Sequence, residues 1–194
     1  MQTHLTAQQI RHFSQFGWIE FEEILPKERC AEFFSSIQKI LTRRTKKKWP
    51  SDEEIYRAGR DLWRNEPLLE KVLCSKNFSS SVSALSNKTP LLLVCDQWIP
   101  EGHILSPLNM EAHLSFQGLV CGALLALDGD KAGHIRFCQP DRLPLFEKCA
   151  QLLIAYGNLQ TVYIHNLKDP CSSHFKELGY NFGDRLNGKI HPIF

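Results

Sequence analysis

The sequence predicts an α+β fold in a single domain spanning residues 1–194, with a mainly helical layer over 1–88 and a β-rich core over 89–194. Two observations carry this. Helical periodicity dominates before Pro90, and after it come short apolar runs, "LLLVCDQWI" and "GLVCGALLAL", separated by Gly and Pro turn signals. "HIRFCQ", "AQLLIAY" and "TVYIHNL" are further strand candidates with no regular helix between them, which favours a sandwich or small barrel over a parallel α/β sheet. "FEKCAQLLIAY" reads equally as a helix, so an α/β arrangement stays open at that point.

The elements follow in order. "LTAQQIRHFSQFG" opens with a capping box, Thr6 then Gln9, carries Ile10 and Phe13 at helical spacing, and meets a natural stop at Gly17. "WIEFEEIL" alternates Ile19 and Phe21 against Glu20 and Glu22, the period of a half-buried strand. Pro26 suits the start of the next helix, whose Phe33, Ile37, Ile40 and Leu41 form one apolar stripe. Helical signals resume over "EEIYRAGRDLWRNEPLLEKVLCSKNFSSSVSALSNK", with Ile55, Leu62, Trp63, Leu69, Val72, Leu73, Val82 and Leu85 as the apolar positions. Between them, "TRRTKKKWPSDEE" sets five cations beside Trp49. A phosphate-binding patch with a stacking aromatic is one reading, and a solvated helix end whose cations complement the helix dipole is the better one.

Composition excludes some classes. A formal net charge of +2 with 23% charged residues lacks the basic bias of a dedicated nucleic-acid binder. Seven scattered cysteines, never as Cys-x-x-Cys, indicate a reducing compartment. With no charged and then apolar leader and no run of about 18 apolar residues, the expectation is a cytoplasmic protein with no membrane association.

"LTAQQIRHFSQFGWIEFEEILPKERCAEFF", "GRDLWRNEPLLEKVL" followed by "PLLLVCDQWIP", "GALLALDGDKAGHIRF" and "LLIAYGNLQ" together resemble, in the right order, the blocks of the phytanoyl-CoA dioxygenase family of non-heme Fe(II)/2-oxoglutarate-dependent oxygenases. The resemblance implies a double-stranded β-helix of jelly-roll or cupin type with N-terminal helices packed on it. It also implies Fe(II) and 2-oxoglutarate as cofactors if the protein is active.

Such enzymes hold iron with two histidines and one carboxylate, the first two as His-x-Asp or His-x-Glu on one strand, where i and i+2 share a face. None of the eight histidines here has an acid two residues on. At the end of "LLIAYGNLQT", where the resemblance would place the distal histidine, stand Gln160 and Thr161. A non-standard site remains. Glu111 and His113 in "NMEAHLSF" would share a face if that stretch is a strand, His174 lies 61 positions beyond His113, and Arg185 lies 11 beyond His174. A carboxylate, two imidazoles and a guanidinium fork for the keto acid suffice chemically. Against this, "CSSHFKELGY" reads as a short helix with Ser172 or Ser173 as cap and Gly179 as stop, away from the barrel mouth. In a second metal reading, His165, Cys171 and His174, with His191 nearby, serve a metal-responsive regulator, although no helix-turn-helix accompanies them. In a third, "SSHFKELGY" after "TVYIHN" resembles the end of GCN5-related acetyltransferases, whose glycine-rich turn at a helix N-terminus has no counterpart in "QPDRLPLFEKC". The expectation is therefore an oxygenase-like scaffold with a degenerate metal site that binds a small molecule or a protein partner.

Overall fold

The computed structural model describes residues 5–48, 50–103, 105 and 108–194. Helix α1 (Ala7–Phe16) begins at the capping box, with the Gln9 N–H on the Thr6 hydroxyl (3.2 Å) and the Thr6 N–H on the Gln9 side chain (2.8 Å). It ends at Gly17, whose φ of 79° lets its N–H reach the Phe13 carbonyl at 2.8 Å. Strand β1 (Trp18–Phe21) follows, then α2 (Lys27–Thr45), which buries Cys30, Phe33, Ile37, Ile40 and Leu41.

The helical signal over residues 53–88 resolves into three pieces, α3 (Asp52–Ala58), α4 (Pro67–Leu73) and α5 (Lys76–Ser86). Residues 59–66 are not helical, because the chain turns there to pair with a strand: the Trp98 N–H donates to the Gly59 carbonyl, the Asp61 N–H to the Asp96 carbonyl, and Arg60 bridges Gln97. Leu62 and Trp63 are buried from a loop, so their helical spacing is coincidental. At the basic stretch the Arg44 guanidinium turns inward onto the carbonyls of Ala58 (2.7 Å) and Arg60 (2.6 Å), and Lys47 pairs with Glu54. Two of its cations thus serve the fold; Trp49 lies outside the described residues.

The remaining elements are β2 (Leu92–Ile99), a single helical turn α6 (Met110–His113), β3 (Phe116–Gln117), β4 (Cys121–Ala126), β5 (Ile135–Cys138), β6 (Gln151–Gly157), β7 (Val162–Tyr163) and a 3-10 turn at His174–Lys176. An antiparallel five-stranded sheet, β1-β5-β4-β6-β2, faces a two-stranded sheet, β3-β7. This is a double-stranded β-helix core whose second sheet is short. Residues 151–157 are a strand, which removes the helical alternative for that stretch.

Both faces of the large sheet are buried. Leu93, Ala123, Leu125, Phe137, Ile154 and Tyr156 pack toward Phe33, Ile37, Leu69 and Phe78 of the helices. Leu92, Val94, Leu124, Leu153 and Ala155 pack toward Met110, Phe116, Tyr163 and Phe175 between the sheets. The free edge of β2 is covered by Arg60 and by the C-terminal residues, where Leu91 and Phe194 exchange backbone hydrogen bonds. Among the described residues no helix is long and apolar enough to cross a membrane.

Gly133 ties the turn after β1 to the sheet: its carbonyl accepts the N–H groups of Ile24 (2.8 Å) and Leu25 (3.3 Å), its φ is +90°, and a Cβ there would run into the Leu25 carbonyl oxygen. Gly133→Ala is expected to cost about 1–3 kcal/mol from backbone strain alone, read as a lower urea midpoint at unchanged m-value.

Candidate functional site

Between the helical layer and the two sheets lies a buried polar network centred on Arg60, which is 1% exposed. The turn after α3 aims its guanidinium inward, where Nη2 and Nη1 meet the two oxygens of Asp169 at 3.0 and 3.4 Å and Nε donates to Gln97 Oε1 at 2.6 Å. Asp169, 3% exposed, also accepts the Ser115 hydroxyl (2.8 Å) and the Cys171 N–H (2.9 Å). Gln97 in turn donates to the Tyr56 and Trp98 carbonyls (3.0 and 2.9 Å). Burial works against the Arg60 charge, yet its neighbours, Asp169 foremost, together outweigh it and hold the pKa well above its ordinary value. The cation and anion are locked together.

A second ring surrounds the pair. Asp61 Oδ2 meets Arg64 Nε (3.1 Å) and His174 Nε2 (3.2 Å). Burial pushes the Asp61 carboxyl up, but His174 and Arg64 overcome it and hold it below its usual value. Asp96, fully buried and beside Asp61, goes the other way: burial first and the neighbouring charge second raise it to about 8. Glu20 forms a separate cluster on β1. Burial raises its pKa, but His134 (2.9 Å) and Arg136 (2.8 Å), with Lys131 (3.2 Å), bring it down to about 2.

The residues singled out in the sequence are placed apart. The stretch 109–116 is not a continuous strand: Asn109 caps α6, so Glu111 and His113 sit on a helical turn and do not share a strand face. The Glu111 carboxylate accepts the N–H groups of Gly118 (2.9 Å) and Leu119 (3.3 Å). His113 is buried, and its carbonyl accepts the Tyr56 hydroxyl at 3.3 Å. His174 opens the 3-10 turn, not an α-helix, and is committed to Asp61, with no side-chain cap from Ser173. His165 is exposed against the Phe182 ring (4.9 Å between centroids), and Arg185 is exposed with its backbone bridged to Val162. Cys171 is buried, and burial raises its thiol pKa. His191 is buried with Nδ1 on the Leu93 carbonyl (2.9 Å), and burial lowers its pKa to about 4.

Among the described residues, one group of three or more His, Cys, Asp or Glu places its ligand atoms within 4.8 Å of one another: Glu20, Glu22 and His134. Neither Glu111, His113 and His174 nor His165, Cys171, His174 and His191 form such a group. In the Glu20 group the surrounding Arg136 and Lys131 already neutralise the half-buried carboxylate. The segment 139–149 holds no helix, so the pyrophosphate site of the acetyltransferase reading has no helix N-terminus to use.

A cavity of about 370 Å³ opens beside the network, lined by Asp52, Glu53, Tyr56, His103, Leu105, His113, Lys168 and Pro170. Tyr56 belongs to both, its ring lying 5.9 Å from the Arg60 guanidinium, and Lys168 and Pro170 flank Asp169. His113 faces this cavity together with His103, whose ring stacks on Tyr56 at 5.7 Å. The sequence reading missed Arg60, Asp169 and His103. The visible signal was "DQ" inside the apolar run "LLLVCDQWI", two polar residues in a strand buried along its whole length.

No family model matches the sequence, and no curated protein matches it. Solved structures do match the fold. The non-heme α-ketoglutarate-dependent carbocyclase SnoK of nogalamycin biosynthesis superposes with a TM-score of 0.71 at 13% identity, over 98% of this chain and 96% of its own. CT296 of Chlamydia trachomatis gives 0.60 at 20% identity over 81% and 99%. CytC3, solved with Fe(II) and α-ketoglutarate, gives 0.61 at 14% identity over 84% and 81%. The fold is therefore that of the Fe/2-oxoglutarate-dependent oxygenases.

Two outcomes test the network. Arg60→Met alone should cost about 3–5 kcal/mol by stranding Asp169 in the interior, and Arg60→Met with Asp169→Leu should recover most of it in urea unfolding. Asp96, its folded pKa raised to about 8, keeps a proton that the unfolded chain has already released above about pH 4, so its contribution falls as pH rises toward 8. Between pH 6.5 and 8, above the His191 transition, wild type should lose on the order of 1 kcal/mol relative to Asp96→Asn, measured by urea midpoints at the two pH values.

Proposed function

We propose that this chain, acting as one domain, is a non-catalytic or diverged member of the oxygenase fold that binds a small polar molecule or a partner segment in the cavity lined by Tyr56, His103 and His113. The observation that supports this most is the Arg60–Asp169 pair. It sets the protein's own cation and anion together in the interior, and both Asp169 oxygens are already bound by Arg60, Ser115 and Cys171. Fe(II) and 2-oxoglutarate, which the fold implies, do not fit the described donors in this reading. Glu111 is spent on backbone amides and His174 on Asp61, while the apolar side chains of Met110, Phe116, Tyr163 and Phe175 occupy the inter-sheet core. The cavity mixes donors and acceptors, Asp52 and Glu53 against Lys168 and two imidazoles, which suits a small zwitterionic or hydrogen-bonding ligand over an apolar one.

A second reading, an oxygenase with a non-standard metal site, is favoured by one feature: His103 and His113 line the same cavity as two carboxylates. The thermal midpoint of anaerobic protein with Mn(II) and 2-oxoglutarate, separately and together, decides between them. A ligand at about a hundred times its dissociation constant adds roughly 2.7 kcal/mol of stability. No shift is expected. A rise that needs metal and keto acid together would overturn the non-catalytic reading.

A further inference from the structure

A second cavity of about 250 Å³, open on one side, is bordered by the turn after β1 and helices α2, α4 and α5. Its floor is Phe33 and Phe78, both fully buried, and its walls are the half-buried Ile24, Leu25, Leu68 and Val72. At some 30 Å³ per water it holds about eight water-sized groups, the room an aliphatic chain of similar length needs. Its remaining lining residues are Arg29, Lys71 and Ser75, so the polar groups of the lining include two cations and no acid. Arg29 lends Nη1 to Glu32 at 2.7 Å. Lys71 makes no ion pair among the described residues, and Ser75 stands at the N-cap of the eleven-residue α5 without bonding its amides through its side chain. The partial positive charge of that helix start adds to the ammonium.

An apolar cavity whose rim carries Lys71, Arg29 and Ser75 and no lining acid is complementary to an amphipathic anion. We propose that this cavity binds a free medium-chain aliphatic carboxylate, with the chain between Phe33, Leu68, Val72 and Phe78 and the carboxylate held by Lys71 with Arg29 and Ser75. The site is separate from the Tyr56 cavity and does not depend on what that cavity does.

Sodium octanoate below its micellar range, titrated calorimetrically into the full chain, is the test, with octylammonium as a probe of equal chain length and opposite charge. Saturable one-to-one binding of octanoate is expected, with octylammonium much weaker. Lys71→Glu, a surface change, should weaken octanoate by about tenfold or more through loss of one charge and gain of its opposite. Val72→Trp should block it by filling the chamber, and if that variant fails to fold, Lys71→Glu carries the result. Equal binding of octylammonium, or octanoate binding unchanged in Lys71→Glu, would show only an adventitious apolar contact and overturn the proposal. So would no saturable binding.

Discussion

A buried arginine opposite a buried aspartate is the constraint around which this molecule is arranged. Removing a guanidinium and a carboxylate from water costs several kcal/mol each, and their attraction repays it only where the remaining hydrogen-bonding capacity is also met. Arg60 and Asp169 meet that condition by drawing on every layer. Gln97 comes from β2, Ser115 precedes β3, Cys171 follows β7, and Arg60 itself leaves the end of α3. The backbone around Arg60 must pair with the β2 edge to deliver it, which explains why the helix stops at Ala58 and why Asp61 adopts a φ of +53°. Arg44 then caps the carbonyls that this turn exposes. One ion pair thus fixes a helix end, a sheet edge and the closure of the small sheet.

The ring around it is less completely paired. Among the described residues six buried side-chain atoms lack a protein partner, and all but Tyr156 Oη on β6, namely Asp61 Oδ1, Asp96 Oδ2, Arg64 Nη2, Trp63 Nε1 and His191 Nε2, belong to the 61–64 turn, β2 or the C-terminal segment that covers β2. Such groups cost free energy in the interior, and their concentration here separates two tasks. The inner pair specifies one arrangement, whereas the outer ring responds to protonation: Asp61 is held ionised by His174 and Arg64 while Asp96 beside it is driven neutral. Two neighbouring buried carboxylates are driven in opposite directions because Asp61 is hydrogen-bonded by His174 and paired with Arg64, whereas at Asp96 burial and the Asp61 charge outweigh the more weakly acting Arg44.

The architecture was legible wherever local chemistry and periodicity agreed. Thr6, Gln9 and Gly17 bound α1 as read, the stripe Phe33, Ile37, Ile40 and Leu41 is buried as read, and the apolar runs after Pro90 are strands. The failures share one cause, competition from distant residues. Leu62 and Trp63 have helical spacing, but a strand 35 positions away takes the backbone hydrogen bonds of their turn. Glu111 and His113 have strand spacing, but Asn109 captures the amides of residues 111 and 112 and winds a helical turn. The site residues were harder still. Arg60 and Asp169 stand 109 positions apart, and neither occurs in a motif whose spacing betrays the other. The glutamine that accepts the Arg60 Nε–H announced itself only as a polar residue inside an apolar strand.

That polar residue bears on how the fold and its use are related. In β2, β4 and β6 successive side chains point to opposite faces, and here both faces are dry: one set meets the helices, the other meets Met110, Phe116, Tyr163 and Phe175. A sheet wrapped on both sides has little room for a solvent-facing lumen. In the reading proposed here the space that a reactive centre would need has become core, crossed by the polar seam of Gln97, Arg60 and Asp169. Binding is then left to the margins, where the helical layer and the loops of the small sheet leave cavities such as those beside Tyr56 and Lys71. Whatever those cavities hold, the edge of β2, the end of α3 and the segment after β7 are tied together through Arg60.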